Sequence, residues 1–345
     1  MVLASLAFTN KNNQNNEFGL KKRFRAQLST YVWKQAGKFG LFLTKNTSLF
    51  LPPNTEEPTI LVISLPRSGS SWVGDVLSSA SNVRYLREPI TQSRLNFSNR
   101  RPTLIGIDPQ TPPKDYQIFA EMAFYGWPTF RGEIVSGRRK DWMSQEKSYR
   151  VVIKEVNPFA LEWFIKRYQP YIIFLVRHPA AVALSFARLG WFEENAFSRF
   201  YDRLTNQQKK LVQQQLKRQI SQNPWEQYGA LQGAALNIAS MALQEYPNHK
   251  IVLYEDLCLD PISNFQHLFS FAGLQWDKNV ERKTARKSYS SPQNNDPYST
   301  ARYSAQMYQS WKQKIAPETL DAIKAGFFSF SIPFYTKNSN WNLEY

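Results

Sequence analysis

Thr59-Ile60-Leu61-Val62-Ile63-Ser64-Leu65, continued by Pro66-Arg67-Ser68-Gly69-Ser70-Ser71-Trp72 and then by Val73-Gly74-Asp75-Val76-Leu77, decides how the rest of the chain is read. The first seven residues are an unbroken apolar run rich in β-branched side chains, as in a strand buried on both faces. A turn of small residues bearing one cation follows, and then a helix start. That order suits a phosphate or sulfate group. Ser68, Gly69, Ser70 and Ser71 let backbone N–H groups converge on an anion at the helix N-terminus, where the peptide dipoles favour negative charge. Gly69 permits close approach of the backbone. Ser70 and Ser71 add hydroxyl donors, and Arg67 adds a planar fork suited to two oxygens. A nucleoside triphosphatase loop has a different grammar, Gly-x-x-x-x-Gly-Lys-Ser/Thr. Here the second glycine and its Lys are missing, and the cation precedes the glycine. Ile251-Val252-Leu253-Tyr254-Glu255-Asp256, a strand ending in acids, keeps that rival in view.

A second junction has the same form. Tyr171-Ile172-Ile173-Phe174-Leu175-Val176 is followed by Arg177-His178-Pro179 and by Ala180 to Phe186. Pro179 suits the first turn of a helix. Arg177 stands at the strand's end, eight residues before Ser185, so that both can face one phosphate. Two such junctions suggest a ligand with two separate anionic groups, lying across the carboxyl ends of parallel strands. Further apolar runs at Arg150–Ile153 and Lys250–Tyr254 read as strands. Ser71–Ser79, Pro179–Arg188, Thr205–Ile220, Trp225–Glu245 and Asp260–Ala272 have helical composition. Strands alternating with helices predict an α/β domain, a central parallel sheet flanked by helices. Thr91 to Tyr149 has no clean periodicity and reads as loops and short helices over one end of the sheet.

Composition sets the outer bounds. The chain has 345 residues, and 15% of them are aromatic, which excludes a disordered or fibrous protein. Its formal net charge of +16 suits an anionic ligand, a polyanion or an acidic membrane surface, or is solvated surface charge. Cys258 is the single cysteine, so no intrachain disulfide forms and a reducing compartment is expected. No apolar run approaches membrane-spanning length, and Met1 to Thr9 makes a poor signal peptide, so a cytoplasmic location is expected. Residues 1–56 read as an N-terminal extension preceding a domain over 57–345. Within the extension, Leu20 to Leu43 carries Lys21, Lys22, Arg23, Arg25, Lys34 and Lys38 among apolar residues at helical spacing. Such a basic amphipathic helix docks either on its own domain or, as a peripheral contact, on an anionic membrane.

The two junctions carry a resemblance. The chain resembles the PAPS-dependent sulfotransferases, which move a sulfuryl group from 3′-phosphoadenosine 5′-phosphosulfate (PAPS) to an acceptor hydroxyl or amine. Pro66 to Trp72 is similar to that family's 5′-phosphosulfate loop, and Arg177 through Ser185 to its 3′-phosphate motif. Tyr254-Glu255-Asp256-Leu257 with Asp260-Pro261, and Tyr298-Ser299-Thr300-Ala301-Arg302 followed by Trp311, resemble the branch acting on carbohydrates. The likeness spans roughly Thr59 to Tyr335 and implies a P-loop-NTPase-like sulfotransferase fold.

By that resemblance, Ser68 to Ser71 cradle the phosphosulfate, with Trp72 near the adenine; a core tryptophan behind the loop is the alternative. Arg177 and Ser185 hold the 3′-phosphate, with Arg302 from the C-terminal part. Arg67 takes the place of a lysine that, in the cytosolic branch, stabilises charge on the leaving oxygen. The acceptor must lose a proton, so a base is expected. Val156 stands where the cytosolic branch has its His, while Lys154 is kept to contact the transferring group. Of the three histidines, His178 reads as a surface or helix-capping residue, and His249 and His267 have no site context. Glu88, in the Glu-Pro pair of the carbohydrate branch, is the expected base, and Glu155 is its reserve. Burial would raise the Glu88 carboxyl and Arg87 would lower it.

Trp127, Trp142, Tyr116 and Tyr125, mixed with Arg100, Arg101, Arg131, Arg138 and Arg139, are expected to grip the acceptor, a carbohydrate or small molecule. No metal and no nucleic acid is called for. The alternatives are a nucleotide kinase or NTPase of related fold, and a non-enzymatic polyanion binder.

Overall fold

In the computed structural model the described residues are 57–81, 83–91, 102–127, 149–290 and 303–343, together with the positions 35, 38, 39 and 42. Their elements run β1 (Ile60–Ser64), α1 (Ser70–Leu77), β2 (Val83–Arg87), α2 (Lys114–Phe124), β3 (Arg150–Glu155), α3 (Leu161–Tyr168), β4 (Tyr171–Val176), α4 (Pro179–Arg188), α5 (Ala196–Asp202), α6 (Asn206–Gln215), α7 (Pro224–Leu243) and β5 (His249–Leu253). They continue with α8 (Tyr254–Leu259), α9 (Pro261–Phe271), α10 (Lys278–Ser288), α11 (Ser304–Met307) and α12 (Pro317–Phe327).

The five strands form one sheet in the order β2-β3-β1-β4-β5, every pair parallel. The parallel sheet between helices expected from the sequence is therefore present. Strand β1 lies at its centre. Its residues alternate between two cores, as the two-residue period of a strand requires. Leu61 and Ile63 join a large cluster with Phe119, Trp163, Phe186 and Leu231, whereas Ile60 and Val62 join a smaller one with Trp72, Val76, Phe265 and Phe269. Helices α2, α3, α4 and α7 thus cover one face, and α1, α8 and α9 the other. On the first face α12 lies so close to α7 that a Cβ on Gly229 would run into the Ile323 carbonyl. On the second, Lys287 of α10 pairs with Asp75 of α1 at 3.1 Å.

Elements beyond the sequence reading are β2, α2, α3, α5, α8, α10, α11 and α12. In β2 the side chains of Arg84 and Arg87 interrupt the apolar run. Arg84 donates to the Tyr149 hydroxyl at 2.6 Å, so the charge that masked the strand is satisfied within the fold. The segment expected to hold loops and short helices contains one such helix, the 11-residue α2, whose position the sequence pattern does not mark. Helix α6 stops at Gln215 because Leu216 is extended, short of the Ile220 expected. Of the amphipathic helix over 20–43, the described positions Gln35, Lys38, Phe39 and Phe42 are helical and exposed, and the rest lies outside the described residues. No helix among the described residues is long and apolar enough to cross a membrane.

Candidate active site

The topology decides which loops meet. Because β1 and β4 are neighbours, with Ser64 opposite Leu175, the turns that follow them leave the same rim of the sheet side by side. The chain leaves β1 through a tight turn. The Ser64 hydroxyl donates to the Leu65 carbonyl at 2.8 Å and lies 2.9 Å from the Ser70 Oγ, tying the first helical residue back to the strand. Arg67 has φ 68° and Gly69 φ 97°, both left-handed. For a non-glycine residue that conformation is uncommon and gathers at functional turns. At Gly69 the absence of a side chain is required twice over: by the positive φ, and by the Tyr254 ring, whose Cδ2 lies 2.5 Å from where a Cβ would stand. Helix α1 opens without a side-chain cap. Among the described residues, the amides of Gly69, Ser70 and Ser71 donate to no chain acceptor. Ser68 and Ser70 are nearly buried and brace the turn, while Arg67, Gly69 and Ser71 keep partly exposed surface. Three undonated amides at a helix start are what an incoming anion needs.

The second turn locks onto the first. Arg177 Nη1 donates to the Arg67 carbonyl at 2.9 Å, and Arg67 Nε donates to the Ser185 hydroxyl at 3.0 Å. The two junctions, 110 residues apart in sequence, are thus hydrogen-bonded to each other. The Arg177 guanidinium sits over the Tyr254 ring, 4.4 Å from its centroid, so that one aromatic ring touches both turns. Arg177 Nε is buried and has no hydrogen-bond partner among the described residues. His178 caps α4, its Nδ1 accepting the Ala180 amide at 3.3 Å. Capping is as expected; a surface position is not, since His178 is 3% exposed and stacks on Trp311. Burial pushes its pKa down to about 3, so the ring is neutral.

A third group lies at the ends of β2 and β3, where Arg87 is opposite Lys154. Glu88 closes β2 with φ 51°, and its amide donates to the Lys154 carbonyl at 2.6 Å. The side chains also meet, the Lys154 ammonium pairing with the Glu88 carboxylate. Burial works to raise the Glu88 carboxyl, but Lys154, helped by Arg87 and Arg67, outweighs it and holds Glu88 below the usual carboxylate range. Burial pulls the Lys154 ammonium below its ordinary value, with Glu88 opposing. Of the two influences foreseen for Glu88, the cations win, and Lys154 rather than Arg87 leads.

Glu155 follows Lys154 and points to the opposite face of the sheet. It is fully buried and accepts the Ile90 amide at 2.7 Å, the Thr91 amide at 3.2 Å and the Thr91 hydroxyl. Burial raises it to about 7. Its bonds hold the Glu88–Thr91 turn in place, which is an anchoring role.

The remaining expectations divide. Trp72 is fully buried, packed edge-on against Tyr254 and Phe265, which matches the core-tryptophan alternative. Tyr116 is 1% exposed and takes a 3.1 Å hydrogen bond from Asn157, so it is a core residue rather than an acceptor grip. Trp127 is likewise buried. Arg302, Trp142, Arg100, Arg101, Arg131, Arg138 and Arg139 lie outside the described residues. Glu255 does not sit as the metal-holding acid of an NTPase strand: β5 ends at Leu253, and the Glu255 carboxylate accepts the His178 amide and the Tyr335 hydroxyl. Sequence reasoning singled out Tyr254 and Glu255 as a motif but missed their roles, because both depend on contacts far along the chain.

A family model described as a sulfotransferase domain matches residues 57–328. Among solved structures, the sulfotransferase domain from the curacin biosynthetic pathway is 19% identical, covering 80% of this chain and 99% of its own, at a TM-score of 0.43. The sulfotransferase domain from the Synechococcus PCC 7002 olefin synthase is 17% identical, covering 83% and 100%, at 0.43. Mouse sulfotransferase SULT7A1 complexed with PAP is 14% identical, covering 84% and 90%, at 0.38. No curated protein sequence gives a match.

Proposed function

The chain belongs to the sulfotransferase family, and from that premise we propose that it transfers the sulfuryl group of PAPS to a hydroxyl or amine of a carbohydrate or small-molecule acceptor. The observation that carries this reading is the link between the two strand-end turns, Arg177 to the Arg67 carbonyl and Arg67 to Ser185. A donor with a phosphosulfate at one end and a phosphate at the other needs two anion sites on one rim. The amides of Gly69, Ser70 and Ser71, with the α1 dipole, serve the 5′ end. Arg177, whose Nε is without a hydrogen-bond partner among the described residues, serves the 3′-phosphate together with Ser185. Arg302 stays part of this proposal.

In the transfer, the acceptor oxygen or nitrogen attacks sulfur as the bond from sulfur to the bridging phosphate oxygen breaks, and adenosine 3′,5′-bisphosphate leaves. Glu88 takes the acceptor's proton. Its ion pair with Lys154 keeps it ionised at neutral pH, the state a base requires. Lys154, Arg67 and the turn amides supply positive charge where negative charge grows on the sulfuryl and phosphate oxygens. Arg67 acts as a fixed cation and not as a proton donor.

Incubation with 35S-labelled PAPS and a panel of sugars, phenols and small amines tests the reading. The expected result is label moving to one acceptor class with stoichiometric release of adenosine 3′,5′-bisphosphate. Transfer of phosphate from ATP with Mg²⁺, and none of sulfate from PAPS, would contradict it.

A further inference from the structure

The transfer scheme uses the turns after β1, β2 and β4 but gives no task to Glu255. This half-buried carboxylate accepts two hydrogen bonds from widely separated parts of the chain. Oε1 takes the His178 amide at 3.0 Å, and Oε2 the Tyr335 hydroxyl at 2.7 Å. The His178 amide belongs to the residue directly after Arg177. The Tyr335 end is equally well fixed. Tyr335 has φ 56°, its carbonyl accepts the Trp341 indole N–H at 2.7 Å, and its ring meets His178 at 4.9 Å between centroids. Trp311 and Trp341 close around the same imidazole at 4.3 Å and 4.6 Å. One carboxylate therefore joins the turn that carries Arg177 to the C-terminal segment.

An apolar contact would hold these elements together without fixing an angle. A carboxylate drawn out of water is costly unless its oxygens are bonded, so it dictates where its two donors stand. Burial raises its pKa, while His178, Tyr335 and, at longer range, Arg177 oppose the rise. The groups facing it are thus the His178 amide, the Tyr335 hydroxyl, its own backbone amide and the Arg177 cation.

We propose that Glu255 is a positioning residue for Arg177. By holding the His178 amide and the Tyr335 hydroxyl, it sets the guanidinium over the Tyr254 ring and against the Arg67 carbonyl, so that recognition of a 3′-phosphate depends on residues 335–341. The inference rests on the donor reading above and adds a residue and a dependence that reading does not contain.

Calorimetric titration of the full chain with adenosine 3′,5′-bisphosphate and with adenosine 5′-monophosphate tests it in Glu255→Ala, Glu255→Gln and Tyr335→Phe. In Glu255→Ala the affinity ratio of bisphosphate to monophosphate falls about tenfold, the scale of a lost hydrogen bond to a charged group. Glu255→Gln keeps an oxygen for the His178 amide and restores the ratio to within about threefold of the unaltered chain, and Tyr335→Phe lowers it by about threefold. A purely structural role would weaken both nucleotides alike. Equal losses in Glu255→Ala, or in Tyr335→Phe if the alanine variant does not fold, overturn the proposal. An unaltered chain without preference for the bisphosphate instead overturns the donor reading on which it stands.

Discussion

Arg177→Ala is expected to weaken the binding of adenosine 3′,5′-bisphosphate by about 100-fold and that of adenosine 5′-monophosphate by no more than about threefold, as loss of a charge-assisted phosphate contact implies. Three features of the Arg177 side chain set the size of this effect. One guanidinium nitrogen holds the Arg67 carbonyl, the π-face lies on Tyr254, and Nε is buried with no hydrogen-bond partner among the described residues. The first two aim the group and the third leaves a hydrogen bond for a ligand. A buried donor that binds nothing is costly, so an arriving phosphate recovers that cost as well as making a new bond. The small loss for the monophosphate reflects the slackened Arg67 turn. Isothermal titration of both nucleotides checks it, and equal losses would remove Arg177 from the 3′-phosphate site.

The second large effect is catalytic. Glu88→Gln is expected to lower turnover by about 10²–10⁴-fold, the range for a positioned acid or base, with donor affinity nearly unchanged. Glutamine keeps an oxygen toward Lys154, so the turn is retained while the proton acceptor is lost. The pH profile separates Glu88 from its neighbour. Lys154 holds the Glu88 carboxyl below the usual carboxylate range, so it stays ionised as pH falls through neutrality, and rate is lost only below that range. Were Glu155 the base, its pKa of about 7 would put the acid limb of the profile near neutrality. An unaffected rate in Glu88→Gln, or a limb near neutrality that disappears in Glu155→Gln, would reassign the base.

What was legible in the sequence was local. The apolar runs at Thr59–Leu65 and Tyr171–Val176 needed no partner to be read as strands, because both faces are buried and every residue says so. The loop chemistry of Arg67 to Ser71 and of Arg177 was legible for the same reason: residue type, turn and helix start lie within a few positions of one another. Strand β2 was hidden by Arg84 and Arg87, which meet the Tyr149 hydroxyl and the field of the Glu88 carboxylate only after folding. Helix α2 was hidden by weak periodicity in a segment dense in aromatics, and it took Tyr116 into the core with it. The roles of Tyr254 and Glu255 were out of reach, since one depends on Gly69 and Arg177 and the other on Tyr335. Pairing of Glu88 with Lys154 was equally invisible, although both residues were named, because it follows from the register of β2 against β3.

The proposed function requires the turns after β1 and β4 to form one site for the two ends of a single nucleotide. Titrating the unaltered chain with adenosine 3′,5′-bisphosphate, adenosine 5′-monophosphate and adenosine 3′-monophosphate measures it directly. One-to-one binding of the bisphosphate at least about 100-fold tighter than that of either monophosphate is expected, since two anchored ends share one cost of association. A bisphosphate that binds no better than the tighter of the two monophosphates would contradict it.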